Sequence, residues 1–292
     1  MKNASQYDFY GYEELSVNHV DSALFLAAEA VKLENKFYWD QPERRKILEN
    51  EQITDQELGI RSFAFVTGSI FASIAFLNGA INEVFIGAAK YKKENYASKT
   101  AENPLARLPS PVIDSLAEIN PERINWSDYK SLEKNLGGRS FLNKFQLALY
   151  LAHGETRLLA CKGSIWKEMG RVAQLRNILI HHEPMWVQLS NESYQALGDS
   201  KHKQRTATVL TDLKSRGFRN RLYEKPDPSN IGGARDTLVT TWLGAESAVW
   251  AIRSGLKFAH EFYKRMPIVT HNRLIEDRLE ELQRPLFMLS IS

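Results

Sequence analysis

Between residues 62 and 82 the chain carries no charged side chain. A run this apolar cannot lie along a solvated surface, so the fold must surround it with other elements or place it in lipid. It is long enough to cross a bilayer, which takes ~20 residues. Thr67, Gly68, Ser69, Ser73, Asn78 and Gly79 interrupt it with small and hydroxyl-bearing residues, which suit close approach by neighbouring helices. No basic cluster marks only one end, as the positive-inside pattern would require. We read the run as the central helix of a soluble, cytoplasmic protein with no membrane partner, the rival being a single membrane span.

The rest of the chain follows helical periodicity, and no strand alternation bounded by turn signals is visible. Expected helices cover residues 17–33, 55–96, 112–119, 140–154, 164 to just before Pro184, 201–217, 236–265 and 273–283, with Ser164 as an N-cap. Pro104, Pro109, Pro111 and Pro121 mark one connection, Gly137 and Gly138 a stop, and residues 218–233 a loop. The fold expected is all-α, a helical bundle with additional C-terminal helices. Three blocks are suggested: an N-terminal helical extension over 1–54, a core over 55–190 and a C-terminal region over 191–292, with a boundary near 190–201.

The 292 residues suffice for a sizeable core, and 43% apolar with 25% charged residues is ordinary globular composition. Cys161 is the only cysteine, which excludes a disulfide framework, suits a reducing compartment and gives that residue a structural role. The net charge of +3 permits an acidic partner such as RNA without demanding one. His153 reads as a helix-terminal cap. His19, His202, His260 and His271 have no metal-ligand spacing, and no phosphate-binding glycine loop or nucleophile elbow is present. No metal or cofactor is therefore expected.

The helix from residue 164 holds the most telling pattern. On a wheel at 100° per residue, Ile165, Met169, Val172, Leu179 and Ile180 share an apolar face, and Arg176 falls near its middle. A guanidinium there is costly unless it is paired or faces a cleft. Asn177 and His181, four apart, stack on one side with Gly170 and Gln174, leaving that side small and polar. One explanation is structural: Arg176 pairs with Glu83, the first acid after the uncharged run, while His181 and His182 cap a helix ended by Pro184.

The pattern Arg176-Asn177-x-x-x-His181 resembles the R-x-x-x-x-H signature of the HEPN superfamily, in the form with a polar residue after the arginine. The long apolar helix bearing Glu83 is similar to the acid-carrying helix of that family, and the likeness covers residues 61–184. The resemblance implies a HEPN-type all-helical bundle and a metal-independent endoribonuclease, in which two copies of the motif meet in a homodimer. His181 would serve as general acid or base on the 2′-hydroxyl and leaving oxygen, Arg176 would stabilise the phosphorane-like transition state and Asn177 would orient phosphate or histidine, with Glu83 and His182 in support. The products implied are a 2′,3′-cyclic phosphate and a 5′-hydroxyl. Some active members carry tyrosine two residues past the histidine, where this chain has Glu183.

The segment containing Lys214, Arg216, Phe218, Arg219, Arg221 and Tyr223 interleaves cations with aromatic rings, a composition suited to RNA, though a solvated basic helix end explains it equally. Carboxylate pairs of a nucleotidyltransferase are absent, so such a partner, or an antitoxin, would be a separate chain. The expectation is a dimeric RNase of the toxin or phage-defence kind. The alternative is a non-catalytic HEPN-like helical module for interaction or nucleotide binding.

Overall fold

A computed structural model describes residues 7–94, 104–135, 141–180, 186–190, 193–196, 201–223, 232–233, 241–266 and 269–284. These are predominantly helical. The α-helices are α1 (Tyr7–Lys36), α2 (Arg44–Glu51), α3 (Asp55–Lys93), α4 (Ser110–Ala117), α5 (Leu142–His153), α6 (Ser164–Ile180), α7 (Lys201–Ser215), α8 (Ala245–Arg265) and α9 (Val269–Glu281). Short 3-10 turns occupy Pro104–Arg107, Trp126–Asn135 and Gly154–Arg157.

Three differences from the sequence expectation have physical causes. Helix α1 begins ten residues early, at Tyr7 rather than Val17. Helix α2 was not anticipated, because Arg-Arg-Lys-Ile-Leu-Glu-Asn-Glu has little apolar periodicity and buries only Leu48. Finally, a three-stranded antiparallel sheet joins β1 (Trp186–Ser190), β2 (Ser193–Ala196) and β3 (Gly232–Gly233) in the order β2-β1-β3. Val187 lies opposite both Ala196 and Gly232. Strands this short give almost no periodicity to read. Smaller shifts also occur: α8 starts at Ala245 rather than at 236, with 234–240 outside the described residues. Gly163, whose carbonyl accepts the Lys167 N–H, precedes α6, so Ser164 is the first helical residue rather than the cap.

The uncharged run lies within α3. A reciprocal capping box starts that helix: Thr54 Oγ1 accepts the Glu57 N–H at 3.2 Å, and Glu57 Oε2 accepts the Thr54 N–H at 2.8 Å. Its small residues are contact points. A Cβ on Gly68 would come 3.0 Å from Leu26, and one on Gly79 would come 3.3 Å from Ser16, both on α1. Ser69 Oγ donates to the Ala23 carbonyl of α1 at 2.9 Å. Helix α3 is long and apolar enough to cross a membrane, and 56% of its most apolar window is buried within the protein.

Contacts divide the chain into two units. The first comprises residues up to Val20, Ile74–Gly170 and Ser254–Glu281. Its core includes Phe145, whose ring meets Phe258 and Phe262 edge-on at 5.0 and 4.9 Å. His153, at the end of α5, donates through Nε2 to the Arg265 carbonyl at 3.0 Å, so it ties α5 to the end of α8 rather than capping its own helix. Cys161 is half-buried and receives a hydrogen bond from Gln146 Nε2. The second unit comprises Asp21–Ser73, Arg171–Arg253 and residues from Leu282. There Phe37, Leu48, Leu58 and Leu222 form a buried cluster, with Leu33, Ile47, Ile53 and Tyr223 packed against it. Helices α1, α3, α6 and α8 each contribute a segment to both units.

Candidate functional site

Helix α6 buries Trp166, Met169, Val172, Leu175 and Ile178. This face is broader than the wheel suggested: Leu175 and Ile178 join it, while Ile180 is 50% exposed at the helix end. Arg176 sits between the buried positions and is itself half-buried. Its Nε is shut off from solvent and has no hydrogen-bond partner among the described residues. A guanidinium N–H held that way forfeits its hydration without replacement, at a cost of about 1–3 kcal/mol.

On the side of α6 expected to be open, three of the four residues are described. A Cβ built on Gly170 would meet nothing within 4 Å. Gln174 and Asn177 are exposed, and Gln174 accepts a hydrogen bond from Arg171 Nη1 at 2.8 Å. His181 and His182 fall outside the described residues. Glu83, the anticipated counter-ion of Arg176, belongs to the first unit and Arg176 to the second. The Glu83 carboxylate accepts the Ser16 N–H at 3.1 Å and the Ser16 hydroxyl at 2.7 Å.

The basic segment after α7 is drawn inward by acids and rings. Arg216 Nε donates to Asp212 at 2.9 Å while its guanidinium lies 4.8 Å from the Trp250 ring centre. Arg221 Nη2 donates to Glu246 at 3.0 Å, with both side chains largely buried. Arg219 is held more loosely, 3.9 Å from Asp40, and its Nε is buried with no hydrogen-bond partner among the described residues. Lys214 lies in the last turn of α7. Tyr223 packs against Gly59 of α3, and burial raises its phenol pKa.

One residue that the sequence reasoning passed over is the most perturbed acid described. Glu34, on α1, is 1% exposed. Its Oε1 accepts the N–H of Ala245, the first residue of α8, at 2.8 Å, and its Oε2 is buried without a hydrogen-bond partner among the described residues. Burial pushes its pKa up to about 8, and neighbouring Glu246 adds to the rise; the Ala245 N–H and Arg221 oppose it. The signal was in the sequence: Ala23, Ala27, Ala30 and Glu34 are spaced as one helical face, so an acid stands where the pattern calls for an apolar residue.

Among the described residues no three His, Cys, Asp or Glu side chains group as metal ligands would. Comparison of the chain with protein-family models, with curated proteins and with solved structures finds no match.

Proposed function

We propose that the chain is a metal-independent endoribonuclease of the HEPN type, working as a cytoplasmic homodimer in which Arg176, Asn177 and His181 of two copies form one composite site. The observation that carries this reading is Arg176: a guanidinium on the buried face of α6, with an unpartnered Nε, one residue before an exposed asparagine. A phosphate is the anion best matched to the planar guanidinium of such a half-buried arginine. In this scheme His181 takes the proton from the RNA 2′-hydroxyl, or gives one to the leaving 5′-oxygen, the proton-transfer role to which an imidazole is suited. Arg176 stabilises the charge gathering on the phosphorane-like transition state, and Asn177 orients the phosphate. The products are a 2′,3′-cyclic phosphate and a 5′-hydroxyl. A toxin or phage-defence role, with a separate antitoxin or nucleotidyltransferase chain as regulator, fits such an activity.

The test is cleavage of single-stranded RNA in EDTA. Arg176→Ala and His181→Ala should each lower the rate by at least ~100-fold, the contribution of a proton-transfer group or a fixed electrostatic donor, while retaining the helical circular-dichroism spectrum. Folded variants that cleave as well as the parent remove both residues from the mechanism. A second reading, a non-catalytic helical module, is favoured by the intrachain pairing of Arg216 and Arg221. It predicts no cleavage by the parent chain under any of these conditions.

A further inference from the structure

A cleft of about 110 Å³ opens at the start of α6, and every residue lining it belongs to the first unit. Trp166 of α6 and Phe258 of α8 are buried beneath it, their ring centres 5.8 Å apart. With Leu159 and Ile165 they give the cleft its apolar surface. The only charged side chains that line it are Glu261 and Arg265, four positions apart on α8 and both partly exposed. Glu261 Oε2 and Arg265 Nη2 stand 3.7 Å from one another, beyond hydrogen-bonding distance.

The walls are held in place. Gln146 grips Leu159 through both ends of its amide: Nε2 donates to the Leu159 carbonyl at 2.7 Å, and Oε1 accepts the Leu159 N–H at 2.9 Å. Arg265 Nη1 donates to the carbonyls of Leu158 at 2.7 Å and Arg157 at 3.3 Å. The carbonyl of Arg265 in turn accepts from His153 Nε2. A ligand therefore meets a cleft already formed, and little ordering entropy opposes its binding.

An apolar slot beside one acid and one base matches a molecule that joins an apolar branch to both charges. A simple amine would bring a cation next to Arg265, and a simple acid would bring an anion next to Glu261. Volume narrows the branch: an apolar cavity of ~150 Å³ holds benzene, so this smaller cleft suits a branched aliphatic chain better than an aromatic ring. We propose that the cleft binds a free α-amino acid with a branched aliphatic side chain, its ammonium donating to Glu261 and its carboxylate accepting from Arg265 Nη2. The aliphatic branch lies against Trp166 and Phe258. Such binding is independent of endoribonuclease activity.

The experiment is isothermal titration calorimetry of the full chain with L-leucine, L-alanine, isoamylamine and isocaproate. The last two are leucine without its carboxylate and leucine without its ammonium, so each charge is tested with the protein unaltered. Leucine should bind, and each truncated ligand should bind ~10- to 100-fold more weakly, the loss of a charge-assisted hydrogen bond. Alanine should fall by a similar ~10- to 100-fold for its three missing carbons. Glu261→Gln should weaken leucine binding at least ~10-fold and leave isocaproate binding no weaker. Ala160→Leu, a change at an exposed lining residue, should fill the cleft and abolish leucine binding without lowering the unfolding temperature. No heat from leucine at millimolar concentration overturns the proposal. So does an amine or acid that binds as tightly as leucine, or leucine binding that survives Ala160→Leu unchanged.

Discussion

Replacing Glu34 by glutamine should change how stability depends on pH. In the folded chain the carboxyl is 1% exposed, and its pKa is about 8 against 4.5 for the free group. Below 4.5 both folded and unfolded forms hold the proton, and the favourable balance is fully present. As pH rises from 4.5 towards 8, the unfolded chain releases its proton while the folded chain keeps it, so stability falls by ~1.4 kcal/mol per pH unit. The accumulated cost is about 3 kcal/mol at pH 7 and about 4 kcal/mol at pH 8. Glutamine still accepts the Ala245 N–H but has no charge to lose. Its amide must also occupy the place of the unpartnered Oε2, a penalty of ~1–3 kcal/mol that does not vary with pH. The diagnostic quantity is therefore the change in the variant's advantage between two pH values. Urea unfolding of the parent and Glu34→Gln should show that advantage growing by about 3 kcal/mol from pH 5 to pH 8. An advantage that stays flat over that range would mean that Glu34 is ionised in the folded protein and that burial does not control it.

Two further substitutions probe features that the fold makes specific. Gly244→Ala should destabilise by ~1–3 kcal/mol in the same urea assay, because a Cβ there would lie 2.5 Å from the Arg219 carbonyl oxygen, 2.6 Å from Glu34 Oε1 and 2.9 Å from the Asn220 Cα; an unchanged midpoint would contradict this packing. Gly170→Ala should instead stabilise the monomer by ~0.5–1 kcal/mol, since glycine is a poor helix former and the added methyl meets nothing. If the open side of α6 is where two copies meet, the same change should weaken the dimer in sedimentation experiments, whereas a gain in monomer stability with dimerisation untouched would place that interface elsewhere.

The long helices were legible because each buries a regular stripe. Asp55 as the start of α3, and the limits of α5 within two residues, follow from apolar spacing and turn residues alone. The meaning of the small residues in α3 was also legible, and Gly68, Ser69 and Gly79 are indeed where α1 comes close. What spacing cannot convey is which distant residue answers a polar group. Arg176 was recognisable as a cation on an apolar face, and Glu83 as an isolated acid, but not that Glu83 would accept from Ser16, 67 positions away. The inward pairing of Arg216 and Arg221 was equally hidden, because composition does not distinguish a solvated cation from one paired to an acid. Helix α2 and the small sheet escaped for a different reason: elements of two to eight residues leave too short a pattern to read.

The bond between Glu34 and Ala245 spans 211 residues. At an elongation rate of about 5–20 residues per second, a ribosome needs roughly 10 to 40 seconds to deliver the second partner after the first. Through that interval the acid on α1 lacks the Ala245 N–H that its Oε1 accepts in the folded chain, so this contact closes only after nearly the whole chain has been made.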